Sequence, residues 1–225
     1  MTPLWLDLFF ILICLTTVGL FYRANPGLRT TILLILVWSV LQCVLAILGF
    51  YGDLKRMPPP LLAILLPPFI LIIYGSTGKR LRRIESQHNI VRSTWVHSVR
   101  LPVEIVLFYL YSYEMVPQLM TFAGRNFDII AGISAPFVAL LYFRDRISDL
   151  GLFLWNVVCL GLVLFILVNG VLSTEVPFQQ FAFEQPNKAV TLFPYVLLPA
   201  TVVPLVIFSH VIDLLILGRK INRND

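Results

Sequence analysis

One stretch of the chain concentrates the residues able to hold charge or move a proton. In STWVHSVRLPVEIVLFYLY, the residues Ser93, His97, Arg100, Glu104 and Tyr111 follow at intervals of 4, 3, 4 and 7. These intervals set them along one stripe of a helix, interrupted by Phe108 between Glu104 and Tyr111. Arg100 and Glu104, at i and i+4, are spaced for an ion pair. His97 and Glu104 differ by about 20° around the helix and roughly 10 Å along it. An imidazole and a carboxylate so placed can bind protons or a polar solute. A second set lies in TVVPLVIFSHVIDLLIL, where Ser209 and Asp213 are at i and i+4, and His210 reaches Asp213 at i+3. No metal centre is expected from His97, His210, Asp213 and Glu104, since no H-x-x-H or H-x-x-x-H spacing pre-forms two ligands on one helix. No cofactor is expected either.

The elements that must carry these groups are membrane helices. Seven apolar runs fill most of the 225 residues, near 3–22, 28–50, 59–77, 95–113, 126–143, 152–172 and 190–217. About 20 residues rising 1.5 Å each cross the ~30 Å hydrocarbon layer. With 58% hydrophobic and only 13% charged residues, the expected fold is all-α: a polytopic, seven-transmembrane-helix bundle forming one domain over 1–225. Charge inside such a bundle costs a few kcal/mol unless it faces protein or water, so the stripe is expected to face inward. Pro102 leaves the Ser98 carbonyl without its helical donor, and Pro199 and Pro204 do the same for Tyr195 and Ala200. A polar cavity among spans 3, 4 and 7 is therefore expected, with Pro67-Pro68 breaking the regularity of span 3.

Loop charge gives orientation. Arg23, Arg29, Lys79, Arg80, Arg82, Arg83, Arg92, Arg144, Arg146, Arg219, Lys220 and Arg223 fall on one set of loops and the C-terminal tail, against Lys55, Arg56, Arg125 and Lys188 on the other. The positive-inside rule then places the N-terminus outside and the C-terminus in the cytoplasm. The net charge of +5 reports this topology, and bases split among short loops give no reason to expect nucleic acid as a partner; membrane lipids are the expected one. The segment GKRLRRIESQHNIVRST is expected to lie along the cytoplasmic headgroups, with Leu81, Ile84, His88 and Val91 at helical spacing. The first run lacks a basic n-region and a cleavage site, so it is expected to be retained. Cys14, Cys43 and Cys159 lie within spans and read as small core hydrophobes.

A polar group on the outer face comes from EMVPQLMTFAGRNFDI and PFQQFAFEQPN. Glu184 is expected to pair with Arg125, and Asp128 to complement the dipole at the start of span 5. Loop and cap chemistry is the expected role of Arg125, Asp128 and Glu184.

Internal similarity joins the two ends of the chain. WLDLFFILICLTTVGLFYR and NFDIIAGISAPFVALLYFR both carry an Asp and an Arg 16 residues apart, Asp7 with Arg23 and Asp128 with Arg144. Pro68 and Pro204 correspond in spans 3 and 7. A parallel repeat of residues 1–77 and 126–217 is expected, a 3+1+3 plan joined by span 4. Such repeats mark many transporter folds. The plan resembles the SWEET sugar carriers, which are also seven-helix with an external N-terminus. Their proline marks the first helix of each triplet, whereas here only Pro136 lies inside such a helix, and the architectural resemblance implies no sugar transport. The strings VPQLMTFAGRNFDI, PFQQFAFEQPN and HSVRLPVEIVL resemble a group of uncharacterised bacterial seven-helix membrane proteins. That resemblance runs nearly the full length, implies a bacterial inner-membrane location, and brings no activity with it.

The leading expectation is a small-molecule carrier or proton-coupled permease. An intramembrane lipid-modifying enzyme, with His97 or His210 as acid–base and Arg100 holding a headgroup, is the alternative, as is a sensory or accessory subunit with a structural Arg–Glu pair. A retinal protein is disfavoured, since Lys220 falls beyond the end of the last span.

Overall fold

In the computed structural model, which describes residues 2–224, every regular element among those residues is helical. Four helical stretches there are long and apolar enough to cross a membrane: α1 (Leu4–Ala24), α2 (Arg29–Ile47), α8 (Asp149–Leu172) and the final stretch Leu198–Arg223. The helices α3 (Leu61–Gly75) and α4 (Gly78–Glu85) make a fifth if taken as one span bent by 79°. The charged stripe runs through α5 (Ile90–Val96), a 3₁₀ turn (His97–Val99) and α6 (Arg100–Ser112). The apolar helix α7 (Ile129–Phe143) has 15 residues. The final stretch opens as a π-helical turn (Leu198–Val202) and continues as α9 (Val203–Asn224).

Local chemistry accounts for the breaks. Pro102 cannot donate to Ser98, and the chain tightens into the 3₁₀ turn His97–Val99 just before it. Pro199 lies within the π turn and Pro204 follows it on α9, each removing a backbone donor in the same way. The Ala200 carbonyl that Pro204 leaves free accepts the Trp38 indole N–H at 3.1 Å, and Ser39 meets Thr201 at 2.8 Å, so α2 is tied to the irregular turn. Asn89 caps α5 by accepting from the Arg92 N–H at 2.9 Å.

Two expected spans start later than their hydropathy implies. The helical part of span 5 begins at Ile129 and that of span 7 at Leu198, rather than near 126 and 190. The apolar residues ahead of them are buried in short 3₁₀ turns and irregular backbone: Val116, Met120, Val190, Tyr195 and Val196 all lie in the interior. Irregular backbone at that depth needs internal partners. Gln185 supplies two, donating to the Tyr111 and Val116 carbonyls at 3.1 and 2.7 Å, while the Lys188 and Ala189 N–H groups both reach Met115 O at 3.0 Å. These two inward-folded segments cap the end of the bundle that carries the N-terminus.

At the opposite end α4 lies across the bundle. Leu81 and Ile84 are buried against Ile212, Ile216 and Leu217, Arg219 bonds Glu85 at 2.5 Å, and Lys79, Arg80, Arg82 and Arg83 face outward. The final helical stretch is the central one. Its most apolar window is 72% buried, against 11% for α2, whose only buried residues are Gln42 and Ala46. Small residues on α7 (Ala131, Gly132, Ala135, Ala139) let it approach the stripe closely. A Cβ on Gly132 would stand 2.5 Å from the Leu101 nitrogen.

Candidate functional site

Arg100 is the hub of the interior polar groups and is 3% exposed. Its Nη1 lies 3.3 Å from Asp128 Oδ1, both terminal nitrogens donate to the Cys159 carbonyl at 3.3 Å, and Nη2 meets His210 Nε2 at 3.1 Å. A guanidinium only donates, so His210 Nε2 accepts and its proton sits on Nδ1. That Nδ1–H donates to Asn156 Oδ1 at 2.7 Å, and Asn156 is oriented by its own bond to the Leu152 carbonyl at 3.0 Å. The network thus assigns His210 as the neutral Nδ1–H tautomer. His97 lies flat against it, with ring centroids 3.7 Å apart, and Trp155 presents an edge at 5.6 Å. Neither His97 nitrogen has a hydrogen-bond partner in the protein.

Glu104 and Asp128 are held by the turn before α7. Asn126 Nδ2 donates to Glu104 Oε1 and to the Met120 carbonyl, and Asn126 Oδ1 accepts from the Asp128 N–H at 3.1 Å. Towards the capped end these groups border a cavity of about 70 Å³. Its walls are apolar (Leu61, Leu65, Val103, Leu107, Val163, Ile166), and its polar lining is Glu104, Asn126, Asp128, Thr174 and Asn187. A space of this size accommodates several waters or a small solute. Glu104 Oε2 and Asn187 Oδ1 make no hydrogen bond within the protein.

Below Arg100 the polar groups continue to the opposite end. Asp213 is one turn beyond His210 on α9 and accepts from His88 Nε2 at 2.6 Å. His88 Nδ1 faces Asn25 Oδ1 at 2.7 Å, and Asn25 is oriented by its donation to the Phe21 carbonyl at 3.1 Å. A ring between two acceptors needs a proton on each nitrogen, or a proton on Asp213 in place of one of them. The Ser93 and Ser209 hydroxyls lie buried on the same helices without a partner.

The five interior residues expected to carry chemistry, His97, Arg100, Glu104, His210 and Asp213, are all buried. Their pairing differs from expectation. Arg100 takes Asp128 as its ion-pair partner, and Glu104 Oε1 is held by Asn126, because the turn 121–128 inserts an amide and a carboxylate beside the stripe. Asp213 takes His88 and His210 takes Asn156, because the loop after α4 turns its imidazole inward. The outer group divides. Asp128 is buried with Arg100, with no side-chain capping bond to its own helix, whereas Arg125 and Glu184 are exposed, and Arg125 stands 6.0 Å over the Phe181 ring instead of pairing with Glu184. The cavity also draws on α8, while Pro67 and Pro68 lie outside its lining. Missing from the sequence-based set were His88, Asn126, Asn156 and Asn187. His88 carried a signal, since its spacing with Leu81 and Ile84 already put it on the inward face. Among the described residues no three His, Cys, Asp or Glu side chains converge to hold a metal.

Comparison with known families gives one match: a family described as a domain of unknown function (DUF8737) covers residues 58–218. That range includes the interior polar groups but leaves out α1 and α2. No curated protein and no solved structure matches the chain.

Proposed function

The chain belongs to that family of unknown function, and we propose that it is a proton-coupled carrier of a small molecule in the bacterial inner membrane. In this reading it crosses the bilayer seven times with the N-terminus outside, as two triplets (1–77 and 126–217) about α5–α6. The observation that supports it is the series of buried ionisable groups running from the basic end towards the cavity: His88 and Asp213, then His210 and His97, then Arg100, with Asp128 and Glu104 on the cavity lining. Buried ionisable groups inside a membrane bundle mark ion and substrate paths.

Arg100 separates the two ends of this series. It cannot give up its proton, so it blocks passive leakage while its charge is held by Asp128. Protonation of Asp128 or occupancy of the cavity changes the balance of charge around it and frees the guanidinium to move, which couples the two events. The alternative of a lipid-modifying enzyme is less well served, since His97 and His210 are both 0% exposed and Arg100 is engaged internally. A sensory or accessory subunit would need no cavity at the Arg–Asp pair.

Purified protein in vesicles containing a pH-reporting dye tests the reading against pulses of amines, amino acids, organic acids and sugars. The expected result is a lumenal pH change with one solute class that is lost in Glu104→Gln, with the variant retaining wild-type melting and elution. A pH response unchanged in Glu104→Gln, or no response to any class, rejects a proton-coupled carrier.

A further inference from the structure

The cavity between α3, α6, α8 and the π turn has a chemical bias that specifies its occupant. Two side-chain oxygens on its lining, Glu104 Oε2 and Asn187 Oδ1, have no hydrogen-bond donor in the protein, while Asp128 Oδ1 faces Arg100 Nη1 at 3.3 Å. Glu104 and Asn187 are 2% and 1% exposed, so bulk water does not satisfy them. The orientation of the amide is fixed: Asn187 Nδ2 donates to the Gly170 carbonyl at 3.2 Å, which leaves its oxygen free. The amide of Asn126 is fully used on Glu104, Met120 and the Asp128 N–H, and cannot turn to help. A buried acceptor without a donor costs about 1–3 kcal/mol, and more when it is charged. Both unmet needs are for donors.

Charge points the same way. Asp128 takes up the charge of Arg100, and His210 is held neutral by its two hydrogen bonds, so no side-chain cation is left for Glu104. The remaining lining is aliphatic, from Leu61, Leu65, Val103, Leu107, Val163 and Ile166. Magnesium and calcium ions take six or more oxygens, which these walls do not supply. A primary ammonium offers three N–H donors and one positive charge, and a short alkyl tail suits the walls.

We propose that this cavity is a binding site for a small primary amine, its ammonium held by Glu104 and Asn187 and its alkyl body by the aliphatic wall. The proposal shares its cavity with the carrier reading and names the solute class for it.

Melting of the purified protein in detergent, with n-butylammonium as the probe, tests the proposal. A ligand bound only by the folded state raises the melting temperature with the logarithm of its concentration. The rise is expected with n-butylammonium and absent with n-butanol, butyrate and tetramethylammonium, which lack the charge, invert it, or lack N–H donors. Glu104→Gln is expected to weaken the apparent affinity about tenfold or more, as loss of a charged hydrogen-bond acceptor does. Asn187→Leu, outside the ion pair, provides the same readout should Glu104→Gln not fold. Equal protection by n-butanol or tetramethylammonium, protection unchanged in both variants, or no protection by n-butylammonium overturns the proposal. Amine binding without solute-driven pH change would retain this site and reject the carrier; a pH change driven by another solute class, without amine binding, would do the reverse.

Discussion

At the scale of residues, the interior is organised by Arg100 and the partner it selects. Asp128 is its ion-pair partner, at 3.3 Å, so Asp128→Asn leaves a buried cation without its counter-charge. Removing one member of a buried pair costs about 3–5 kcal/mol, whereas replacing both with neutral residues often recovers most of that. Asp128→Asn is therefore expected to melt well below wild type, and Arg100→Gln with Asp128→Asn to lie above the single variant. The cycle with Glu104→Gln should show much smaller coupling to Arg100, because the Gln oxygen still accepts from Asn126. Coupling of Arg100 to Glu104 as strong as to Asp128 contradicts the geometry. The sequence made the ionisable residues of the stripe legible through their 3–4 spacing. It did not make their partners legible: helical spacing reports neighbours within one helix, while Asp128 and Asn126 reach the stripe from the turn between α6 and α7, and His210, held by Asn156 of α8, reaches it from α9. Only tertiary packing brings these together.

At the scale of elements, prolines do the shaping. That Pro204 must free the Ala200 carbonyl follows from its missing N–H; that Trp38 collects it, from a helix 162 residues away, does not. Two side-chain bonds, Trp38 to Ala200 and Ser39 to Thr201, fasten α2 to the π turn. Trp38→Phe with Ser39→Ala keeps most of the apolar contact and removes both bonds. It is expected to cost about 2 kcal/mol, at about 1 kcal/mol per bond, seen as a lower melting temperature in detergent; an unchanged melt means α2 is held by other contacts. The late starts of α7 and the final helix have a related cause. Hydropathy counts apolar residues without regard to backbone, and Val190, Tyr195 and Val196 are buried whether they are helical or not. Spans were thus legible as apolar length, and the inward-folded segments at their ends were not.

At the scale of the whole molecule, the basic loops and α4 share one end of the bundle, and the proposed orientation puts that end in the cytoplasm. Asp53 and Asp145 are exposed in loops at opposite ends. With Cys14, Cys43 and Cys159 replaced by Ala, Asp53→Cys is expected to react with an impermeant maleimide on intact cells, and Asp145→Cys only after permeabilisation. Labelling of position 145 from outside reverses the topology. The membrane character was legible in composition alone. Which helix lies at the centre was not: α2 and the final stretch are comparably apolar in sequence, yet 11% and 72% buried. Lipid and protein are equally good neighbours for an aliphatic side chain, so hydropathy does not distinguish them.

The ion pair also sets a schedule for synthesis. Arg100 leaves the ribosome 28 residues before the Asp128 that neutralises it. At about 5–20 residues per second, that interval lasts roughly 1.5–6 s. In the proposed topology α5–α6 crosses the bilayer, and an arginine at mid-helix costs about 2.5–3.5 kcal/mol to insert, so the segment is expected to wait beside the insertion machinery until the turn 121–128 arrives. Nascent chains truncated near residue 122 are expected to leave this segment extractable by alkaline carbonate, and chains reaching residue 143 to hold it firmly. Equal retention at both lengths would mean that the helix integrates on its own.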